Sequence, residues 1–317
     1  MADGVSIRRF EDRDLPAVLE VLRAALGETA VLKRTEALFG WKHFHNPFGR
    51  SIILLAESEG RVAGVRAFMR WDLQTPGGDV LRCVRAVDTA THPDFGRRGI
   101  FSSLTMAALE EAEAAGVDMV FNTPNEKSGA GYLKMGWGTV GPIGVLVHPT
   151  YRLATKSVAS DVLPDPAEFL KDPVAAEALD GADRRALGLR TVRSPEYRSW
   201  RFTQHPTARY FAVRADDSAA LVRPNHRSGR RELVVSELIG PNPRRAAVAA
   251  RKASKSDYLA TWFSDGSPER KGVAMAGFVS VPRMAALQLV ARPLREVPLD
   301  VFTLDSWDLA TSDLELL

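Results

Sequence analysis

Cysteine is almost absent: Cys83 is the single thiol in 317 residues. No disulfide can form within the chain, so a cross-linked secreted scaffold is excluded and a reducing, cytoplasmic setting is expected. Long apolar runs are missing too. None approaches the roughly 18 residues of a membrane span, and the opening MADGVSIRRFEDRD holds no apolar signal core. A soluble protein with no membrane partner is expected. Net charge is small, 42 basic against 39 acidic residues for +3, which argues against bulk electrostatic binding of nucleic acid. With one cysteine and no histidine pair at ligand spacing, no metal site is expected. What remains is 45% apolar and 26% charged residues over a length that suits two globular domains.

The element signals run in a definite order. VSIRRF reads as a strand, and Asp14 caps a helix with Pro16 in its first turn and Gly27 at its stop. TEALFGWKHF is a second helix, and SIILLAES and RVAGVRAFMRW form a hairpin turning near Ser58–Gly60. Pro76-Gly77-Gly78 leads into a strand over Val84 to Thr91, then come a helix ending near Gly116, the strand DMVFNT, the short helix NEKSGAGYLKM and a last strand GTVGPIGVLVHP. Helices alternate with strands only in the later part, which predicts an α/β (α+β) mixed sheet, antiparallel first and parallel later. An echo follows: WKHFHNP and WRFTQHP share Trp, a basic residue and Pro six positions after Trp, each between a helix and a strand. The same element order then repeats through SAALVRP, RRELVVSELIG, the basic helix RRAAVAARKASK, YLATWFS and AALQLVA, which predicts two similar domains. The expected limits are 1–150, a connector over 151–193 carrying one or two short helices, and 194–317.

THPDFGRRGIFSSL carries the chemistry. A glycine-bearing turn that opens a helix presents free backbone N–H groups and the positive end of the helix dipole. Gly96 and Gly99 let the backbone approach a ligand, and Arg97 and Arg98 set its sign as negative. An anion site for a phosphate-bearing cofactor is expected.

HPDFGRRGIFSSL resembles the acyl-CoA-binding signature of the GNAT superfamily of N-acyltransferases, and NEKSGAGYLKMGW resembles that family's Asn-to-Tyr helix, with Asn125 and Tyr132 seven residues apart. The resemblance covers about residues 5 to 147. It departs at Gly96, where Gln or Arg is usual, and at Phe101, where Gly or Ala is usual. It implies two tandem GNAT-like domains, with acetyl-CoA as co-substrate and a small-molecule or peptide primary amine as acceptor. It implies a cofactor site from Thr89, Ala90, Thr91, Gly96, Arg97, Arg98, Gly99, Ile100, Phe101, Asn125 and Ser128, with an oxyanion N–H from the strand near Thr89 to Thr91. Tyr132 becomes the acid that protonates the leaving thiolate.

The general base stays open. Alternation sets Asp88 on one face with Ala86 and Ala90, opposite Val87, Thr89 and Thr91, and Asp88 is the base candidate within the strand. A buried carboxylate bonded to nearby backbone is the other reading of the same residue. His43, His45 and His92 are candidate relays, and WDLATSDLELL offers Asp313, Glu315 or the Leu317 carboxylate. The second half lacks the machinery: PNPRRAAV has no glycine past Gly240, and no Asn-to-Tyr spacing precedes Gly277-Phe278. It is expected to be a degenerate copy that walls the acceptor cleft or supplies a homodimer surface. Two alternatives are a non-catalytic acyl-CoA sensor or scaffold and a tRNA-dependent aminoacyl transferase of the twin-domain kind.

Overall fold

The computed structural model describes residues 4–28, 33–150, 165–172, 175, 187–281 and 287–314. Most of the expected connector therefore lies outside the described residues. The chain forms two compact units, one from Met1–Leu73, Val80–Gly141 and Gln288–Phe302, the other from Gln74–Asp79, Pro142–Leu287 and Thr303–Leu317.

In the first unit the elements follow the pattern of the sequence: β1 (Val5–Arg9), α1 (Leu15–Leu26), α2 (Glu36–His43), β2 (Ile52–Ser58), β3 (Arg61–Gln74), β4 (Val80–Thr91), α3 (Ile100–Ala114), β5 (Met119–Asn122), α4 (Glu126–Lys134) and β6 (Gly138–Ile143). β1 pairs antiparallel with β2 and β2 with β3, whereas β4 and β5 run parallel. The unbroken apolar run of β2 reflects burial on both faces. Ile53 and Leu55 pack with Val18, Leu19, Leu22 and Phe39 of α1 and α2, while Leu54 and Ala56 pack with Ile100, Leu104 and Ala108 of α3. Gly64 of β3 lets α3 come close, since a Cβ there would stand 2.7 Å from the Ile100 side chain. Asp14 differs from expectation. Its carboxylate makes no cap on α1 but accepts from the Glu11 N–H at 2.8 Å and from Arg8 at 2.6 and 2.8 Å, closing the 3₁₀ turn before the helix.

The second unit holds β7 (Leu146–Pro149), α5 (Pro166–Leu170), β8 (Arg190–Thr191), α6 (Pro195–Phe202), β9 (Phe211–Ala215), β10 (Ser218–Arg227), β11 (Arg230–Ile239), α7 (Pro243–Ala253), β12 (Tyr258–Thr261), α8 (Pro268–Met275) and β13 (Val279–Ser280), and it closes with α9 (Thr311–Leu314). Its six-stranded sheet has the order β13-β7-β12-β11-β10-β9. Ala246, Ala247 and Ala250 of α7 pack on Val222, Leu233 and Val235.

Two expectations about strands change. GTVGPIGVLVHP is not one strand: β6 lies in the first sheet and β7 in the second, where β7 pairs antiparallel with β12 and β13. AALQLVA does not finish the second half. Its strand, β14 (Leu287–Pro293), stands between β5 and β6 in the first sheet and pairs antiparallel with β5, Val290 opposite Asn122. β14 and β7 are thus each separated from their sheet neighbours by a long stretch of chain.

The echo read in the sequence has a structural content. Thr35 and Ser194 cap α2 and α6 by accepting from Leu38 and Tyr197, and Trp41 and Trp200 follow six residues later. Asn46 and His205, each just before proline, accept backbone N–H groups of the next turn at 3.0 Å. The basic residues after the two tryptophans, Lys42 and Arg201, are both buried.

Candidate active site

The β4–β5 pairing runs from Cys83 opposite Met119 to Arg85 opposite Phe121. Beyond it the two strands line a cavity of about 860 Å³ with Ala86–Thr91 on one side and Asn122–Asn125 on the other. Arg97, Phe101, Ser128 and Tyr132 complete this wall, together with Ala25 and Leu26. The residues expected to hold the cofactor arm, Thr89, Ala90 and Thr91, all face this space.

Asp88 breaks the alternation of β4. Its φ is +42°, a conformation costly for a residue with a Cβ. Ala86 packs on the α3 side of the sheet, and Val87 and Ala90 pack on the α1 side. Asp88 reaches the α2 residues Lys42 and His43, so it shares a face with Val87 and Ala90 rather than with Ala86. The physical cause is a bulge: two successive side chains leave on one face, and the strand bends where it parts from β5.

The Asp88 carboxylate, 8% exposed, meets Lys42 Nζ at 2.9 Å, His43 Nε2 at 3.0 Å and Arg34 Nη1 at 3.4 Å. Burial by itself raises its proton affinity. The Lys42 ammonium and the hydrogen bond from His43 outweigh burial and hold the carboxyl far below the usual range. Burial pushes His43 down, so its ring is neutral; Nε2 carries the proton it gives Asp88, and Nδ1 accepts from Ser51 Oγ at 2.9 Å. A carboxylate so well satisfied is a weak proton acceptor at neutral pH, which fits the buried structural reading better than the expected base. His43 is enclosed, His45 is exposed, and His92 uses Nδ1 to accept the Asp94 N–H at 3.3 Å. Asp313 is fully buried in the second unit against Arg193 at 2.9 Å. Glu315 and Leu317 lie outside the described residues.

The turn before α3 divides its arginines. Arg97, at φ +64°, is exposed and lines the cavity. Arg98 folds back on the β2–β3 turn, giving Glu59 a hydrogen bond of 2.8 Å and stacking on Phe95. Gly99 is the N-cap of α3 in the left-handed region, φ +70°, which explains the glycine. Ile100 is buried beneath, and Gly96 does not line the cavity. The first amides of α3 have no acceptor inside the helix, so an anion beside Arg97 meets donors and the positive dipole end.

On α4, Asn125 is the N-cap; its Oδ1 accepts from the Ser128 N–H at 3.0 Å and from Ser128 Oγ at 3.1 Å. Tyr132 is 3% exposed, edge-on to Phe101 and Trp137 at 5.5 and 5.0 Å between ring centres. Phe101, the departure from the family pattern, is accommodated by Gly131: a Cβ there would stand 2.9 Å from the Phe101 ring. The phenolic oxygen accepts from Arg66 at 2.7 Å. Arg66 and Lys42 are not among the site residues expected from the sequence, although a lone arginine inside the apolar run VRAFM and a basic residue at matching places in the echo are both signals of buried charge.

The second unit has a carboxylate near its own strand irregularity, Glu237, but no such cavity beside it among the described residues. Ser312 of α9 donates to Glu237 at 2.7 Å, the Trp262 N–H donates to Thr311 Oγ1 at 2.7 Å, and Phe263 bridges to Ala310. The end of the chain fills the space between β11 and β12 that stands open between β4 and β5.

Residues 6–140 match the family model of the GNAT acetyltransferase domain. No curated protein matches the chain in sequence. Among solved structures, a GCN5-related N-acetyltransferase from Anabaena variabilis is similar at 14% identity with a TM-score of 0.66, over 91% of this chain and 72% of that one. One from Kribbella flavida is similar at 17% and 0.64, over 92% and 72%. A putative acetyltransferase from Pyrococcus horikoshii is similar at 14% and 0.61, over 99% and 95%. At these identities the structural likeness establishes the fold.

Proposed function

We propose, from the match of residues 6–140 to the GNAT acetyltransferase domain model, that the chain moves an acetyl group from acetyl-CoA to a primary amine of a small molecule, sugar or peptide. The observation that carries the reading is the cavity where β4 parts from β5, with Arg97 and the N-terminus of α3 on its wall beside Tyr132 and Asn125. Those groups fit a ligand with phosphates and a reacting end. When bound, acetyl-CoA supplies the activated thioester carbon.

This chain's residues then have separate tasks. Arg97 and the α3 amides hold the phosphates. The backbone after the Asp88 bulge offers N–H groups to the charge that develops on the acyl oxygen. Tyr132 gives its proton to the departing sulfur. Asp88 holds the bulge through Lys42, His43 and Arg34, and water carries the proton away from the attacking amine. Direct transfer is favoured over a covalent acyl-enzyme, because Cys83 is fully enclosed in β4 and burial pushes its thiol well up, out of nucleophilic range.

Two measurements test the reading. Acetyl-CoA at about 100 times its Kd should add about 2.7 kcal/mol of stability, visible as a raised melting midpoint. Free CoA thiol should then appear with at least one member of an amine panel. An unmoved midpoint removes acetyl-CoA as ligand, and a raised midpoint without thiol release favours the sensor alternative.

A further inference from the structure

Arg66 stands in the middle of β3 with its side chain fully buried. Its Nη1 donates to Thr89 Oγ1 at 2.8 Å and to the phenolic oxygen of Tyr132 at 2.7 Å, and its Nη2 donates to Thr105 Oγ1. No carboxylate is among these partners, and Nε has none. Instead the guanidinium lies against the rings of Phe101, Tyr132 and Phe68, with its carbon 5.0, 5.3 and 5.5 Å from their centres. A buried cation without a counter-ion is costly, and ring faces and hydroxyl oxygens repay only part of that cost.

The protons around it can be assigned. A guanidinium only donates, so each hydroxyl oxygen it touches accepts and must send its own hydrogen elsewhere. Thr105 sends its hydrogen to the Phe101 carbonyl at 2.6 Å, and Thr89 faces the Val87 carbonyl at 3.3 Å. The Tyr132 O–H has no acceptor among the described residues, and Tyr132 lines the cavity.

We propose that Arg66 is a positioning residue that turns the Tyr132 proton into the cavity and holds the negative charge left on the phenolic oxygen when that proton departs. The inference rests on the acetyltransferase reading. As the carbon–sulfur bond breaks, the CoA sulfur takes the Tyr132 proton; the S–H bond forms, the O–H bond breaks, and the electron pair stays on oxygen beside Arg66. The attacking nitrogen loses one proton to form the amide, and that proton returns through water to the phenolate, so Tyr132 and Arg66 end unchanged. The buried cation is uncompensated in the resting protein because its charge is matched only during the reaction.

Arg66→Met tests this, because replacing a buried charge with an apolar side chain of similar size often preserves or raises stability. We expect kcat to fall about tenfold to a hundredfold while KM for acetyl-CoA stays within about threefold and the melting midpoint is not lowered. In a Tyr132→Phe background the same change should lower kcat no further, because both act on one proton. Losses that multiply, or a change confined to KM, overturn the proposal. Should Arg66→Met fail to fold, Arg66→Lys keeps the charge and is expected to give an intermediate kcat; a fully active lysine variant with unperturbed Tyr132 overturns it too. A readout free of turnover uses protein labelled with ¹³C at tyrosine Cζ, the Tyr132 signal being the one lost in Tyr132→Phe. That signal should move in the Arg66 variant more than the Tyr197 signal, and an unmoved signal overturns the proposal. Absence of thiol release from the unaltered protein would instead remove the acetyltransferase reading, with the carbon signal still deciding the Arg66 contact.

Discussion

Arg97 and Arg98 are neighbours in sequence and opposites in environment, and the difference is large enough to measure. Arg98 is tied to Glu59 on an exposed turn, a pair worth at most about 1 kcal/mol, whereas Arg97 is exposed at the cavity wall with no partner among the described residues. A charge-assisted contact to phosphate contributes about 1.5–3 kcal/mol. Arg97→Ala should therefore weaken acetyl-CoA binding about tenfold or more, and Arg98→Ala less than about threefold, by calorimetric titration. Arg97→Gly, which keeps the left-handed backbone at no cost, should weaken binding as much as Arg97→Ala; equal effects of Arg97→Ala and Arg98→Ala would mean both reach the ligand.

α3 and α4 meet through a large residue and an absent one. Phe101 holds its position between Tyr132 and Arg66, and Gly131 leaves the gap its ring needs. Gly131→Ala gains up to about 1 kcal/mol of helix propensity but pushes on a ring that cannot swing, a strain of about 1–3 kcal/mol. The net effect should be a loss of about 1 kcal/mol in urea unfolding. In a Phe101→Ala background the sign should reverse, since only the helix term remains; a loss in both backgrounds would place the strain elsewhere. At this scale much was legible. Thr35, Gly27, Gly60 and Gly116 mark ends and turns by local chemistry, so α1, α2, α3 and the β2–β3 hairpin follow the sequence closely. The bulge at Asp88 was not, because nothing in VRAVDTAT says which residue will be the extra one; the choice is made by Lys42 and His43, more than forty positions away.

For the whole molecule, β14 has the largest consequence. Leu289, Val290 and Ala291 are buried in a strand that stands between β5 and β6, which both lie far earlier in the chain. A chain ended at Thr150 would expose the edge of β5 and the apolar residues that face β14. It should aggregate on gel filtration and lack a cooperative melting transition, and supplying residues 287–302 through a linker should restore both. A monodisperse, cooperatively melting chain of residues 1–150 would show that β14 is dispensable. The second unit repeats the framework but spends its own opening on α9, where Ser312 and Thr311 bond to Glu237 and Trp262. The missing glycines of PNPRRAAV predict that the second half has no cofactor turn. The filling of the space by the chain's end did not follow from them.

By itself the sequence determined what depends on neighbours in the chain: the helices and their glycine stops, the hairpin, the repeat, and the glycine turn with the Asn125–Tyr132 spacing. These are set by backbone conformation and periodicity within a few residues. Only the tertiary structure decided which arginine faces the cavity, that Asp88 is spent on an ion cluster, that Arg66 lies under Tyr132, and that β14 closes the first sheet. Each of these depends on which distant groups burial brings within hydrogen-bond reach, and no local pattern encodes that.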